Sequence, residues 1–434
     1  MRLIIESRVL LHAIGLFAFA ASAGDVHAQL LIAADGSPPV SLATFAQRIT
    51  GAHPEIGAAR ARVLAAEGAR RTAGAWTNPV LSFQRERMDT PGLATGAGNA
   101  YETSVMAMLP LSPLYQLGAR SGAARADVVR ANADLRSTRR DVALRLVSAT
   151  YRAANAQVMV DAGAEIQRWL DSLIIYTRHR VDEGVAAEVD LVRLEVEQRR
   201  SQIELALARI DAARSFAEVA ALSGAKRVSI TIAQGEGSMV TAASLPALDT
   251  LIALALRQRP DLEAANAQVA SATNAAHLER RSVFRDISAM AGMKSMDGMR
   301  SLMIGASATL PIFDQNRGET QRTNAERSAA TFERDMVERN IVAEVSGLYE
   351  ATRALEEQAA AFQGGLLTRA EESRRIAEGA YREGAATLVQ VLDAARALSE
   401  ARTVYYRALF AREQTIAELN AAVGADIIVT GENR

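Results

Sequence analysis

Hydrophobic and polar positions follow two different rhythms along this chain, and each rhythm is used twice. Around Leu302 the period is two. Leu302, Ile304, Ala306, Ala308 and Leu310 fall on one side, and Ser301, Gly305, Ser307 and Thr309 on the other, with Met303 the one apolar exception. That alternation predicts a strand with one apolar face. Residues 286–296 ("DISAMAGMKSM") and 301–310 ("SLMIGASATL") form one strand pair, with Asp297-Gly298 as a hairpin turn signal between them. Residues 79–87 ("PVLSFQRER") and 101–109 ("YETSVMAML") form another, joined by the longer loop "DTPGLATGAGNA". Each candidate is about ten residues long, the length a tilted strand needs to cross a bilayer.

Elsewhere the rhythm is helical. A helix containing "HPEIGAARARVLAAEGA" spans Ser41 to Trp76, and one containing "RPDLEAANAQVASATNA" spans Leu248 to Val283. Pro54 and Pro260 sit near the start of each helical pattern, where a missing N–H costs little. After the strands come "LPLSPLYQLGAR" (109–120) and "LPIFDQNRGETQ" (310–321), in which Pro110 and Pro311 close the strand. Uninterrupted helical pattern then runs to Glu183 and to Glu383, about 90–100 Å at 1.5 Å per residue. The chain reverses at Gly184 and Gly384 and returns as a second long helix, ending at Gly224 and Gly424. In the first returning helix Val189, Leu191, Val192 and Leu194 make an apolar seam, while Glu195, Glu197, Arg199 and Arg200 face elsewhere. Long helices packed side by side need only such a narrow seam. The stretch at 225–247 is a loose bridge containing Gly and Ser. The expected segmentation is therefore 1–28, a first repeat at 29–245 and a second at 246–434.

Composition agrees with long helices: Ala, Arg, Glu and Leu dominate, and only 5% of the 434 residues are aromatic. A net charge of −1 supplies no basic field for nucleic acid. With no cysteine, disulfides, thiolate metal sites and a lipidated N-terminal Cys are excluded. Residues 1–28 have the form of a signal peptide. Arg2 and Arg8 precede the apolar run Val9–Ala21, and Val26-His27-Ala28 or Ala21-Ser22-Ala23 offers a cleavage site. The run is shorter than the roughly 20 residues of a spanning helix. No later stretch is apolar and long enough either, so a second membrane segment must be built of strands.

Candidate chemistry is sparse. His53, His179 and His277 lie far apart, and no metal-ligand, nucleophile or phosphate-loop motif is present. The chain is read as a non-enzyme with no catalytic residue, no metal ligand and no cofactor. Met88, Met106, Met108, Met290, Met293, Met296, Met299 and Met303 cluster in or beside the strands. Thioethers can carry Cu(I), but methionine also fills apolar surface, and packing against lipid or within a barrel is the expected role.

Two copies of helix, strand pair, long helix and glycine-tipped hairpin, behind a signal peptide, resemble the TolC-type outer-membrane factors. The resemblance spans the mature chain. It rests most on "EGVAAEVDL", "EGAATLVQVLDA" and the two strand-to-helix phrases; "AEGARRTAGAWTNPVLS" (66–82) is similar to the branch paired with heavy-metal resistance pumps of the RND type. The family implies an α+β, mostly α, fold. Coiled-coil-like hairpins in two repeats form a periplasmic α-barrel, and four strands per protomer join an outer-membrane β-barrel shared by a homotrimer. The implied function is a passive efflux conduit in the outer membrane, in contact with its lipid, working with a periplasmic membrane-fusion adaptor and an inner-membrane pump. The implied cargo is metal cations or small toxic compounds. By the same resemblance, Gly184, Val185, Gly384 and Ala385 fall where the adaptor docks. Asp190 and Tyr381 match a hydrogen-bonded pair that holds the inner helices closed, and Asp393 matches an acid of the periplasmic constriction. Gln390 stands where the best-known members carry a second acid, and Ala386 where they carry an arginine. The competing reading is a soluble periplasmic coiled-coil scaffold or adaptor, with the strands forming a small sheet.

Overall fold

The computed structural model describes residues 29–88, 100–233, 245–283, 286–296, 299–363 and 365–424. The expected signal peptide (1–28), the loop at 89–99 and the Asp297-Gly298 turn lie outside them. In chain order, β1 (Gln29–Ala34) and β2 (Val40–Ser41) lead into α1 (Leu42–Ala52) and α2 (Pro54–Ala73). Then come β3 (Val80–Met88), β4 (Ala100–Pro110), α3 (Pro113–Asp182), α4 (Glu188–Ser223) and β5 (Val228–Ala233). The second half repeats the order: α5 (Leu248–Gln258), α6 (Pro260–Arg281), β6 (Ile287–Met296), β7 (Met299–Ala308), α7 (Arg317–Gln363), α8 (Leu366–Arg382) and α9 (Leu388–Val423).

All four expected membrane-length strands form, and they join in one antiparallel sheet in the order β3-β4-β6-β7. The link between the two repeats is β4 to β6, with Val105 opposite Met293 and Ala107 opposite Ala291. Because paired residues share a face, the register sorts the sheet into two sides. Leu81, Phe83, Val105, Met293, Leu302 and Ile304 lie on one; Ser82, Ser104, Lys294, Ser301 and Ser307 lie on the other. The alternation read from residues 301–310 is thus carried across every strand. The apolar side is the more open: Ile304 is 80% exposed. Along β4 and β6 the opposite side is partly covered.

Each strand pair is latched to its helices by side-chain bonds to backbone. Arg120, near the start of α3, donates from Nε and Nη2 to the carbonyls of Ala73 and Ala75 at 2.8 and 2.5 Å, satisfying the end of α2. In the second repeat buried Asn316, with φ 57°, donates through Nδ2 to the Glu279 carbonyl at 2.8 Å, at the end of α6. These contacts explain why "LPLSPLYQLGAR" and "LPIFDQNRGE" are built of turn residues followed by polar hooks.

Instead of one globular core, apolar clusters are strung along the helices. Alanine dominates the close contacts, with Ala149, Ala153 and Ala154 fully buried on α3, because small side chains let helix axes approach. Ile32, Phe45, Leu146 and Val219 bind a three-stranded sheet, ordered β2-β1-β5, to α3 and α4. Leu251, Ile341, Val345, Leu419 and Val423 join α5, α7 and α9. There Arg259, its side chain 8% exposed, reaches Asp261 at 2.6 Å, Glu344 at 2.5 Å and the Ala422 carbonyl at 3.3 Å. Burial disfavours both charges, yet the hydrogen bonds and opposite charges around them together outweigh it: the Asp261 carboxyl is held below its ordinary range and the Arg259 guanidinium is pushed up.

Three expectations need correction. The bridge at 225–247 is not wholly loose: β5 pairs with β1 in register from Gln29 opposite Ala233 to Ala34 opposite Val228. The Asp35 carboxylate accepts from the backbone N–H groups of Lys226 and Arg227, at 2.9 Å each, and pins that crossover. Second, the long helix of the second repeat is interrupted. α3 runs 70 residues, about 105 Å, but its counterpart divides into α7 and α8 at Gly365, which takes φ 83°. Third, the helices containing Pro54 and Pro260 are each two, bent at His53 and Arg259, which precede proline and take extended φ/ψ.

Candidate functional site

The two hairpin tips have the same backbone. At the first, Gly184 has φ 74°, and the Val185 N–H donates to the Arg180 carbonyl at 2.8 Å. At the second, Gly384 has φ 78°, and the Ala385 N–H donates to the Ala380 carbonyl at 2.8 Å. Each is a helix end closed by a left-handed residue, a conformation glycine adopts without strain. A Cβ at either glycine would meet nothing within 4 Å, so both tips present bare, accessible backbone. Gly184, Val185, Gly384 and Ala385 are all exposed.

The returning helices begin differently. α4 starts without a side-chain cap but carries Glu188 and Asp190 in its first turn, where carboxylates suit the helix dipole. α9 has no acid there and is closed by a capping box. Thr387 Oγ1 accepts from the Gln390 N–H at 3.4 Å, and Gln390 Oε1 accepts from the Thr387 N–H at 2.9 Å. Gln390 therefore has a local structural task, which the T-x-x-Q spacing at 387–390 signals.

Beneath the tips the two hairpins are tied together. Tyr381 is 4% exposed and packs with Leu170, Leu173, Ile174, Leu194, Leu388 and Val391. Its hydroxyl shares a hydrogen bond with Thr177 Oγ1 at 3.2 Å, and Thr177 is fully buried. The Arg180 guanidinium lies 5.4 Å from the centre of the Tyr381 ring and donates to the Tyr381 carbonyl at 3.1 Å. The Tyr176 hydroxyl donates to the Arg382 carbonyl at 3.2 Å. These bonds place both tips at the same end of the molecule and fasten α8 to α3.

The bond expected between Tyr381 and Asp190 is absent among the described residues. Tyr381 points into the α3 seam, toward Thr177, whereas the nearest cation to Asp190 is Arg193 of its own helix, 3.9 Å away. The α4–α9 link comes from another pair. Arg396 donates to both carboxylate oxygens of Glu197, at 3.2 and 2.7 Å. Those hydrogen bonds hold the Glu197 carboxyl below its ordinary range, against its partial burial. Asp393 is exposed and lies 3.6 Å from the same Arg396. The constriction acid expected at 393 thus stands in a Glu197–Arg396–Asp393 cluster with one excess negative charge. In the sequence Glu197 reads only as part of a solvated face, and no local spacing singles out Arg396. Arg402 adds a second cross-link, bonding Glu165 on α3 and Glu371 on α8 at 2.9 Å each.

Among the described residues no grouping of His, Asp or Glu has the arrangement of a metal site. None of the described helices is long and apolar enough to cross a membrane.

The chain has relatives among known proteins over nearly its whole length. The family model described as "Outer membrane efflux protein" matches residues 46–225 and 251–425. The cobalt-zinc-cadmium resistance protein CzcC of Cupriavidus metallidurans is 24% identical over 397 residues, covering 90% of this chain and 91% of that protein. The pyoverdine export outer membrane protein OpmQ of Pseudomonas aeruginosa is 27% identical over 423 residues, covering 90% and 85%. Among solved structures, the outer-membrane channel OprN superposes with a TM-score of 0.76 at 18% identity, over 89% of this chain and 90% of that one.

Proposed function

Because the chain belongs to the outer membrane efflux protein family, we propose a specific division of labour along its length. The protein is an outer-membrane channel of the kind that serves tripartite efflux systems, a passive conduit and not an enzyme, with a long periplasmic helical part. That identity sets aside the soluble scaffold.

Three copies of the β3-β4-β6-β7 sheet close one twelve-stranded barrel. The observation that supports this is the sheet's two open edges. Among the described residues β3 and β7 each have a strand partner on one side alone, and in lipid their free N–H and C=O groups have no water to bond. A neighbouring copy satisfies them. The helices continue the barrel as a tunnel, in which the six hairpins of three protomers are near-equivalent units. Gly184, Val185, Gly384 and Ala385 form the docking surface for a periplasmic adaptor, which couples the tunnel to an inner-membrane RND-type pump. Asp190, Tyr381, Gln390 and Asp393 lie at the aperture, with Asp393 contributing its negative charge. The two halves, 29–245 and 246–434, act as the two repeats, behind a cleaved segment at 1–28. The names of the two relatives, one for cobalt-zinc-cadmium resistance and one for pyoverdine export, support metal cations or small toxic compounds as the exported class. Native mass spectrometry of the detergent-solubilised protein tests the assembly: a trimer is expected, and a stable monomer would overturn it.

A further inference from the structure

Among the methionines whose side chains are described, six of the chain's 12 fall on one side of the four-stranded sheet, and it is the polar side. If methionine were only an apolar filler, these residues would belong with Leu302, Ile304 and Phe83 on the outer face. The register puts Met293 there, but Met106, Met108, Met290, Met296, Met299 and Met303 opposite, among Ser82, Ser104, Ser301 and Ser307.

Four of them form a compact patch. In one row across the sheet Met106 faces Gly292, which faces Met303; in the adjoining row Met108 faces Met290, which faces Gly305. Directly paired side chains start about 5 Å apart and diagonal ones about 7–8 Å, within reach of long side chains. The two glycines leave the middle of the patch empty of other side chains, and methionines fill that room. A Cβ at Gly292 would overlap the Val105 carbonyl and stand 2.8 Å from Met106 Cγ, so the Met106 stem lies across Gly292. A Cβ at Gly305 would stand 3.5 Å from the Met290 terminal methyl, so Met290 leans over Gly305. Both side chains therefore lean over glycine toward the β6–β7 seam. Toward the β6–β7 turn, Lys294 and Glu102 on this side are paired with each other. Within the two rows of the patch the register places no carboxylate that would draw a hard cation.

We propose that Met106, Met108, Met290 and Met303 form a thioether site for a soft monovalent cation, of the Cu(I) or Ag(I) type, on the inner wall of the β-barrel. Thioether sulfur is a soft, neutral donor that favours such ions over Zn(II) or Co(II), which take imidazole, thiolate or carboxylate. Neutral ligands in a wall open to water bind weakly enough to release the ion, as a conduit requires. Placement in a lumen rests on the channel reading above.

The test uses the purified full-length protein in detergent and silver nitrate in chloride-free buffer. Binding is measured by equilibrium dialysis, and pore formation by the same preparations in planar bilayers. Wild type should bind one Ag(I) per protomer, unaffected by a tenfold excess of Zn(II). Met290→Leu and Met303→Leu should each weaken binding at least tenfold, the quadruple Met→Leu variant should abolish it, and Met293→Leu on the outer face should leave it unchanged. All should form pores like wild type. Absence of stoichiometric Ag(I) binding by wild type, or equal loss in Met293→Leu, would overturn the site; pores persisting without binding would leave the channel reading intact. A folded wild type that binds Ag(I) but opens no pores would overturn the lumenal placement.

Discussion

Tyr381→Phe isolates the bond that fastens the second hairpin to the first. The ring stays, so its packing against Leu173, Leu194 and Val391 is kept. Only the hydroxyl is lost, and with it the partner of Thr177 Oγ1 at 3.2 Å. Both groups are buried, and leaving a buried hydroxyl without that partner costs about 1–3 kcal/mol. If the bond exists only while α8 lies on α3, the whole cost falls on the closed aperture. At 1.4 kcal/mol per decade, the closed-to-open ratio should drop about fivefold to 150-fold. Single-channel recording in planar bilayers reads this as a rise in open probability. Thr177→Val should act in the same direction, and the double variant should add little to either single change, because both remove one bond. Asp190→Asn should do much less, since the Asp190 carboxylate bonds neither Tyr381 nor α8 in this structure. A silent Tyr381→Phe beside a strongly opening Asp190→Asn would refute the reasoning and restore the Asp190–Tyr381 pair as the lock.

The same geometry fixes four other outcomes. Ile304→Arg puts a charge on the apolar outer face and should cost about 2–4 kcal/mol near mid-membrane, seen as loss of assembled trimer, while Ser307→Arg on the inner face is tolerated. The Gly184→Arg/Gly384→Arg double variant should assemble in the outer membrane, since the tips lie about 100 Å along α3 from the strands, yet lose efflux in a whole-cell export assay. Asp393→Ala removes the exposed member of the Glu197–Arg396–Asp393 cluster and should lower the cation preference of the pore, read as a shift in reversal potential. Asp261 is held below its unfolded value of about 3.9, so its stabilisation is present at higher pH and is lost as pH falls through the folded value. Thermal unfolding should show Asp261→Asn below wild type at neutral pH, with the gap closing below about pH 4.

The elements that could be read from the sequence were those with a long, regular signal. Strand-length runs of about ten residues, with clear alternation at 301–310, and a glycine at the same place in each repeat identified β3, β4, β6, β7 and both hairpin turns. β5 was overlooked although Val228, Ile230 and Ile232 alternate with Ser229 and Thr231, because six residues beside a Gly/Ser stretch resemble a linker until β1 is beside them. The break at Gly365 was hidden by the strength of the surrounding helical pattern, which does not weaken where a left-handed glycine interrupts it. At the site, the structure sets the Tyr381 hydroxyl against Thr177, a contact the resemblance did not offer. Which seam a buried ring enters depends on neighbouring helices, and periodicity along one helix does not encode that. The Glu197–Arg396 pair spans the two repeats, so no local spacing announced it. The thioether patch needed the cross-strand register, since each strand alone shows only scattered methionines.

The central claim is that three copies of this chain form one conducting path. Adding the purified, detergent-solubilised protein to one side of a planar lipid bilayer tests it most directly. Discrete, uniform conductance steps are predicted, each produced by an inserted trimer. A folded, membrane-inserted protein that gives no such steps would contradict the account.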